Sequence, residues 1–170
     1  QNGYANQTQE TSAWALFGTA EYQVSEKFKA TGGARYSDET KDFMAQRTMT
    51  PFGGDNLDPI TDSRDSDFVS WDVGGLYTVN NDVNLYGRVA RGFRAPSFQG
   101  RVLFGDVVTV GETEEITSFE VGTKASMGRK ARANFSVYSF TMNDQQLTAV
   151  GGEANFNRMI NADETAGMGF

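Results

Sequence analysis

The sequence predicts an all-β fold, namely an antiparallel transmembrane β-barrel of which this chain holds about seven strands. Three observations predict it. Apolar and polar residues alternate with a period of two, the alternating segments are roughly twice as long as an ordinary strand of about 5–6 residues, and the connections alternate between short and long. The composition agrees, because 19 glycines, 12% aromatic residues and only 3 prolines among 170 residues favour β structure.

The alternation is clearest in residues 28–37, where Phe28, Ala30, Gly32, Ala34 and Tyr36 occupy every second position. This spacing puts them on one face of a strand, whereas a helix would scatter them around its axis. The same pattern predicts strands over 11–24, 68–79, 83–94, 114–127 and 131–143, and a seventh that begins near Met159.

The connections fall into two classes. Residues 25–27, 80–82 and 128–130 are predicted as tight turns, and residues 44–66, 95–113 and 144–158 as long polar loops. In bacterial barrels the short turns are periplasmic and the long loops are extracellular. The chain then begins outside and ends within its seventh strand, whereas closed barrels have an even number of strands. It is therefore expected to be an internal part of a larger barrel.

Hydrocarbon cannot hydrogen-bond the backbone, so membrane strands must pair with each other while their side chains alternate between lipid and a watery lumen. Arg91 falls on the predicted lipid face. It lies eight positions beyond Val83, which places it near the far edge of an apolar band of about 25 Å, at headgroup height. Glu120 and Lys124 fall on the opposite face, where a hydrated lumen accommodates their charges.

Composition excludes several classes of function. The chain has no Cys and no His, which excludes Ser–His and Cys–His catalysis and His-based zinc sites. A net charge of −7 argues against a nucleic-acid partner. No apolar run approaches the roughly 20 residues of a spanning helix, and the first residues lack the features of a signal peptide. We expect no catalytic residues, no resident metal and no cofactor.

Four consecutive segments resemble TonB-dependent outer-membrane receptors. Residues 85–96 (LYGRVARGFRAP) resemble the strand-to-loop segment of that family. Residues 118–124 (SFEVGTK) are similar to the following strand, with its Glu-x-Gly-x-Lys core. Residues 135–146, which end in Asn-Asp-Gln-Gln, and residues 161–169 resemble the next two strands. The resemblance covers about 80–170, and residues 1–79 match only in pattern.

The resemblance implies a 22-stranded barrel in the outer membrane of a Gram-negative bacterium, occluded by an N-terminal plug. It implies active uptake of a bulky nutrient such as a ferric siderophore, cobalamin, haem or an oligosaccharide, energised by the inner-membrane TonB complex through the plug. Outer-membrane lipid, lipopolysaccharide, the remainder of the barrel and a small-molecule ligand are the other expected partners. Residues 1–170 are then a partial barrel domain without the plug.

Candidate ligand residues lie on and beyond the fourth predicted strand. Arg88 and Arg94 face the lumen and Arg101 lies in the next loop, where cations suit an anionic ligand such as a ferric chelate. The alternative is pairing with lumen carboxylates or lipopolysaccharide phosphates. Phe98, together with Phe52 and Phe104, either grips a ligand or packs the loops on each other.

Two further readings stay open. The acidic residues Asp55, Asp58, Asp62 and Asp65 supply oxygen ligands that suit calcium, although their spacing is not that of an EF-hand and a solvated acidic loop is the simpler interpretation. The alternative function is a small eight-stranded outer-membrane barrel with a structural or adhesive role. A β-barrel enzyme is disfavoured by the missing His and Cys.

Overall fold

Long antiparallel strands dominate the computed structural model, which describes residues 3–49, 55–103, 105–128, 131–151 and 156–170. Seven strands form one sheet in the order β1–β2–β3–β4–β7–β8–β9, and two short strands, β5 and β6, pair separately. Their bounds are β1 Tyr4–Gln23, β2 Phe28–Met49, β3 Leu57–Thr78, β4 Val83–Arg94, β5 Ser97–Gln99, β6 Thr109–Gly111, β7 Glu114–Met127, β8 Ala131–Gly151 and β9 Phe156–Gly169.

The sheet is open. Every pair of neighbouring strands in this sheet is antiparallel, but β1 and β9 do not pair with each other in the described part of the chain, so each leaves one edge unpaired. The predicted all-β partial barrel is confirmed. Among the described residues there is no helix long and apolar enough to cross a membrane.

The register of the strands gives the sheet two chemically different faces. One row that crosses all seven strands is apolar or small at nearly every position: Ala20, Gly32, Val73, Val89, Phe119, Ser139 and Met168. The row one residue along points to the other side and is largely polar: Glu21, Thr31, Gly74, Arg88, Glu120, Tyr138 and Gly169. We call these the apolar face and the polar face. The apolar face is exposed, since Val73 retains 58% of its accessible surface.

Aromatic residues border the apolar face at both ends. Phe28 pairs with Tyr77 near the tight turns, and Tyr36 pairs with Val69 eight residues further along β2. Eight residues span about 26 Å along a strand, or about 20 Å of height at a tilt of roughly 40°. This height matches the apolar band of outer-membrane barrels, which is about 25 Å tall.

The apolar face ends within a single row. Leu16, Tyr36 and Val69 lie side by side, and the next row on the same face holds Trp14, Asp38 and Asp67. Carboxylates are costly in hydrocarbon and cheap in water, so a change of this kind is expected where a membrane strand passes from lipid into water.

The prediction of long loops is wrong for two of the three segments. Most of 44–66 is strand, because β2 continues to Met49 and β3 begins at Leu57, and most of 144–158 is likewise strand in β8 and β9. Beyond the last apolar row neither face carries a continuous row of apolar residues, so the period-two signal disappears. The backbone still satisfies its hydrogen bonds by continuing the ladder. The predicted turns at 25–27 and 80–82 are confirmed, whereas residues 129 and 130 of the third lie outside the described residues.

The third predicted loop folds onto the polar face. Residues 95–103 and 105–113 carry β5 and β6, and we call them the inner loop. The buried apolar residues of the described chain lie here, where Val102 of the inner loop packs with Phe43 and Ala45 of β2.

Candidate functional site

A cavity of about 430 Å³ opens on the polar face, between β1 and β7. Its charged and aromatic lining on this face comes from Phe17, Arg35, Asp72 and Arg88, and small residues such as Gly33, Ala90 and Ser118 leave the space between them. Neighbouring strands supply these residues because each contributes every second side chain to this face.

Two arginines of this cavity use only part of their hydrogen-bonding capacity among the described residues. Arg88 Nε lies 3.4 Å from Asp72 Oδ2, and the Arg88 side chain is 57% exposed. Arg35 Nε donates to Ser37 Oγ at 3.0 Å, and its guanidinium lies 5.7 Å from the centre of the Phe17 ring. A guanidinium has five N–H donors, so each arginine retains donors for an anionic group in the cavity.

The sequence-predicted ligand residues are not gathered in one place. Arg88 lines the cavity, whereas Arg94 is exposed at the end of β4, opposite Glu114 in the register. Arg101 is exposed on the inner loop, and its backbone N–H donates to Gln99 Oε1 at 3.1 Å. Phe98 stacks on Phe43 with ring centres 4.9 Å apart, so its ring makes a packing contact. Phe52 and Phe104 lie outside the described residues.

Sequence reasoning missed Arg35. It belongs to the clearest alternating segment, residues 28–37, on the face opposite Phe28 and Tyr36. The available signal was that a charged residue on this face must meet the polar faces of β1 and β3. The register supplies those neighbours, because Arg35 lies opposite Phe17 on one side and Ser70 on the other.

Arg91 lies on the apolar face, as the alternation predicts, and its height in a membrane stays a prediction. It occupies the same row as Trp71 and Thr117, one row nearer the tight turns than Val69. Its guanidinium pairs with the Glu115 carboxylate and lies 5.0 Å from the centre of the Phe68 ring. The charge is thus compensated at the point where the pairing of β3 with β4 ends.

Glu120 and Lys124 meet on the polar face through one tyrosine. The Tyr86 hydroxyl donates to Glu120 Oε1 at 2.6 Å, and Lys124 Nζ lies 5.3 Å from the centre of the Tyr86 ring. Gly122 makes room for that ring, because a Cβ there would lie 2.6 Å from Tyr86 Cε1. The Glu-x-Gly-x-Lys segment therefore forms a compact unit with Tyr86.

The structure does not assemble the four aspartates considered for calcium. Asp58, Asp62 and Asp65 lie along β3, and seven residues of strand separate the first from the last by about 23 Å. Asp62 pairs with Arg64 at 3.1 Å, Asp65 accepts from Thr40 Oγ1 at 2.7 Å, and Asp55 meets Arg47 through its backbone carbonyl. Within the described ranges, no group of three acidic residues is placed to hold a metal ion.

Solved structures share this fold. The ferric yersiniabactin uptake receptor FyuA from Yersinia pestis superposes with a TM-score of 0.68 at 20% identity, over 85% of this chain and 22% of that receptor. The closed form of the ferric-catecholate import receptor Fiu from E. coli K12 gives a TM-score of 0.65 at 16% identity, over 92% of this chain and 24% of that receptor. This chain thus spans about a quarter or less of their length.

The sequence comparisons give one family. No curated protein sequence matches the chain. The family model described as "TonB dependent receptor-like, beta-barrel" matches residues 1–170, the whole chain. Its members are outer-membrane transporters and receptors of Gram-negative bacteria rather than enzymes. The chain belongs to the TonB-dependent receptor family and forms part of its β-barrel.

Proposed function

We propose that this chain is part of the wall of a TonB-dependent outer-membrane transporter that takes up a bulky nutrient. One observation carries the proposal: a continuous sheet has an exposed apolar face about 20 Å tall that ends abruptly in carboxylates, while its other face is polar. A soluble sheet would have to cover such a face. A barrel wall leaves it against lipid.

The unpaired edges of β1 and β9 support a larger barrel. A strand edge within hydrocarbon leaves several backbone groups unsatisfied, each at a cost of several kcal/mol, so further strands must pair there. The family supplies them as the remainder of a 22-stranded barrel around a plug that TonB engages. Lipid and lipopolysaccharide then contact the apolar face and its rim.

The substrate class that fits best is a ferric siderophore. Arg35 and Arg88 offer guanidinium donors in one cavity, and Arg94 and Arg101 are exposed towards the loop end, which suits an anionic ferric chelate. FyuA and Fiu, which share the fold, are named for ferric yersiniabactin and ferric catecholate. Cobalamin, haem and oligosaccharides are the competing substrates.

Iron uptake tests this proposal. The full-length receptor is expressed in a Gram-negative host without its own siderophore receptors, and uptake of radioactive iron is measured with ferric catecholates and ferric yersiniabactin. We expect uptake that requires TonB and falls at least about tenfold in the Arg35→Gln, Arg88→Gln variant, since charge-assisted hydrogen bonds contribute about 1.5–3 kcal/mol each. The matched control is Lys29→Gln, whose side chain pairs with Glu21 near the tight turns.

Two results would contradict the proposal at different levels. Uptake of cobalamin, haem or an oligosaccharide instead of iron would overturn the substrate class and leave the transporter intact. A natural product of about 18.6 kDa, the mass of this chain alone, would overturn the transporter. It would favour the small eight-stranded barrel with a structural or adhesive role.

A further inference from the structure

The inner loop is attached to two parts of the sheet that are far apart. On one side it contacts β1 and β2, and on the other it contacts β8 and β9. In the sheet order β3, β4 and β7 lie between these attachments. The inner loop therefore spans the polar face as a brace between non-neighbouring strands.

The attachment to β2 is apolar at its centre. The Phe98 ring stacks on the Phe43 ring, and Val102 is fully buried beside them. Gly100 permits this approach, because a Cβ at that position would lie only 2.3 Å from Phe43 Cζ. Gln7 Nε2 of β1 donates to the Gly100 carbonyl at 2.6 Å.

Arg47 fastens the same side. Its side chain is 7% exposed, and Nη1 donates to the carbonyls of Val102 at 2.8 Å and Gly105 at 3.1 Å. The same nitrogen lies 2.8 Å from Asp106 Oδ1. A buried guanidinium without these partners would be strongly unfavourable, so the bonds resist separation of the inner loop from β2.

On the β8 side, both the nitrogen and the oxygen of the Gln146 side-chain amide form hydrogen bonds with the inner loop. Nε2 donates to the carbonyls of Ala95 and Glu112, each at 2.9 Å, and Oε1 accepts from Ser97 Oγ at 2.6 Å. The residue is 7% exposed. These three bonds reach both ends of the inner loop and its first strand. At Gly111, a Cβ would lie 3.0 Å from Gln146 Cγ.

We propose that the inner loop is a fixed brace across the polar face of the resting receptor, and that Arg47 and Gln146 are its two clamps. Buried hydrogen bonds at both ends and a buried apolar contact at one end allow a single position. The exposed Arg101 is then presented at a defined place, which lowers the ordering cost of any contact that it makes with a ligand.

Double electron–electron resonance, which measures the distance between two spin labels, tests this proposal without a ligand. The chain contains no cysteine, so labels are introduced at Val107→Cys on the inner loop and Asp82→Cys in the β3–β4 turn, both exposed positions, in the full-length receptor with any other cysteine replaced. The matched pair is Gln146→Met and Gln145→Met. Gln145 accepts a hydrogen bond from Thr165, on β9, and makes no described bond to the inner loop.

The expected result is a single narrow distance distribution for the doubly labelled receptor and for its Gln145→Met variant, and a distribution broadened by a second population for Gln146→Met. Two distances in the receptor that carries only the labels would overturn the fixed position, whatever the variants do. A distribution as narrow in Gln146→Met as in Gln145→Met would overturn the role of Gln146 as a clamp. Both conclusions rest on measured distances, so neither depends on whether the receptor takes up iron.

Discussion

Placing a charge at the middle of the apolar face is the most direct test of where the membrane lies. Val73 is four residues from Tyr77 at one aromatic border and four from Val69 at the other, and the residue is 58% exposed. Val73→Arg therefore puts a guanidinium near the bilayer midplane, where the cost is about 2–4 kcal/mol. Since each 1.4 kcal/mol is tenfold, the ratio of folded to unfolded protein should fall by about 30- to 1000-fold.

Two control variants distinguish the effect of depth in the membrane from the effect of the face that carries the charge. Val69→Arg lies on the same face at the boundary row beside Asp67, where the expected cost is only about 0–1 kcal/mol. Ser70→Arg lies on the polar face next to it and lines the cavity, so its guanidinium stays in water. The assay is urea-induced unfolding of the full-length receptor in lipid vesicles, followed by tryptophan fluorescence and by the gel mobility of the folded barrel.

The ranking of the three variants by stability tests the assignment of the two faces. We expect Val73→Arg to be far less stable than Val69→Arg and Ser70→Arg. If Val73→Arg matched the wild type in vesicles, or if Ser70→Arg were the most damaging of the three, the assignment of the two faces to lipid and lumen would be wrong.

Three further substitutions test the packing of the polar face. Gly122→Ala should lower the free energy of unfolding by about 1–3 kcal/mol in urea titrations, because its Cβ would strike the Tyr86 ring. The control Gly87→Ala, whose Cβ would lie 3.6 Å from its nearest neighbour, should cost less, and equal costs for the two variants would refute this explanation. Tyr86→Phe should cost about 1 kcal/mol by removing the hydrogen bond to Glu120, and an unchanged urea midpoint would show that this bond is not formed. Arg47→Met should cost about 3–5 kcal/mol, against about 0–1 for Lys29→Met at an exposed pair; similar thermal unfolding of both variants would contradict the buried clamp.

The sequence was sufficient to predict the strands wherever one face of the sheet is apolar. Residues 28–37, 83–94 and 114–127 carry an apolar residue at nearly every second position, and the structure makes strands there, with β4 and β7 ending at the predicted residues. Where neither face carries a continuous apolar row, as in 44–49 and 57–66, no amphipathic signal exists, so the continuation of β2 and β3 was not predictable from pattern.

The candidate site was harder to predict from the sequence than the fold. Arg88 was placed correctly on the polar face because alternation determines the face. Its cavity partner Arg35 depends on the register between β2 and its neighbours, which alternation alone does not specify. The packing of Phe98 on Phe43 joins residues 55 positions apart, and no local feature of either segment indicates that contact.

If the apolar face lies against lipid, as proposed, the one-row change from Tyr36 and Val69 to Asp38 and Asp67 fixes the vertical position of the protein in the bilayer. A shift by one row in one direction would bring two carboxylates into hydrocarbon, and a shift by one row in the other would expose a tyrosine and a valine to water. Both shifts cost free energy, so the loop end of the sheet is expected to stay at a constant height above the bilayer.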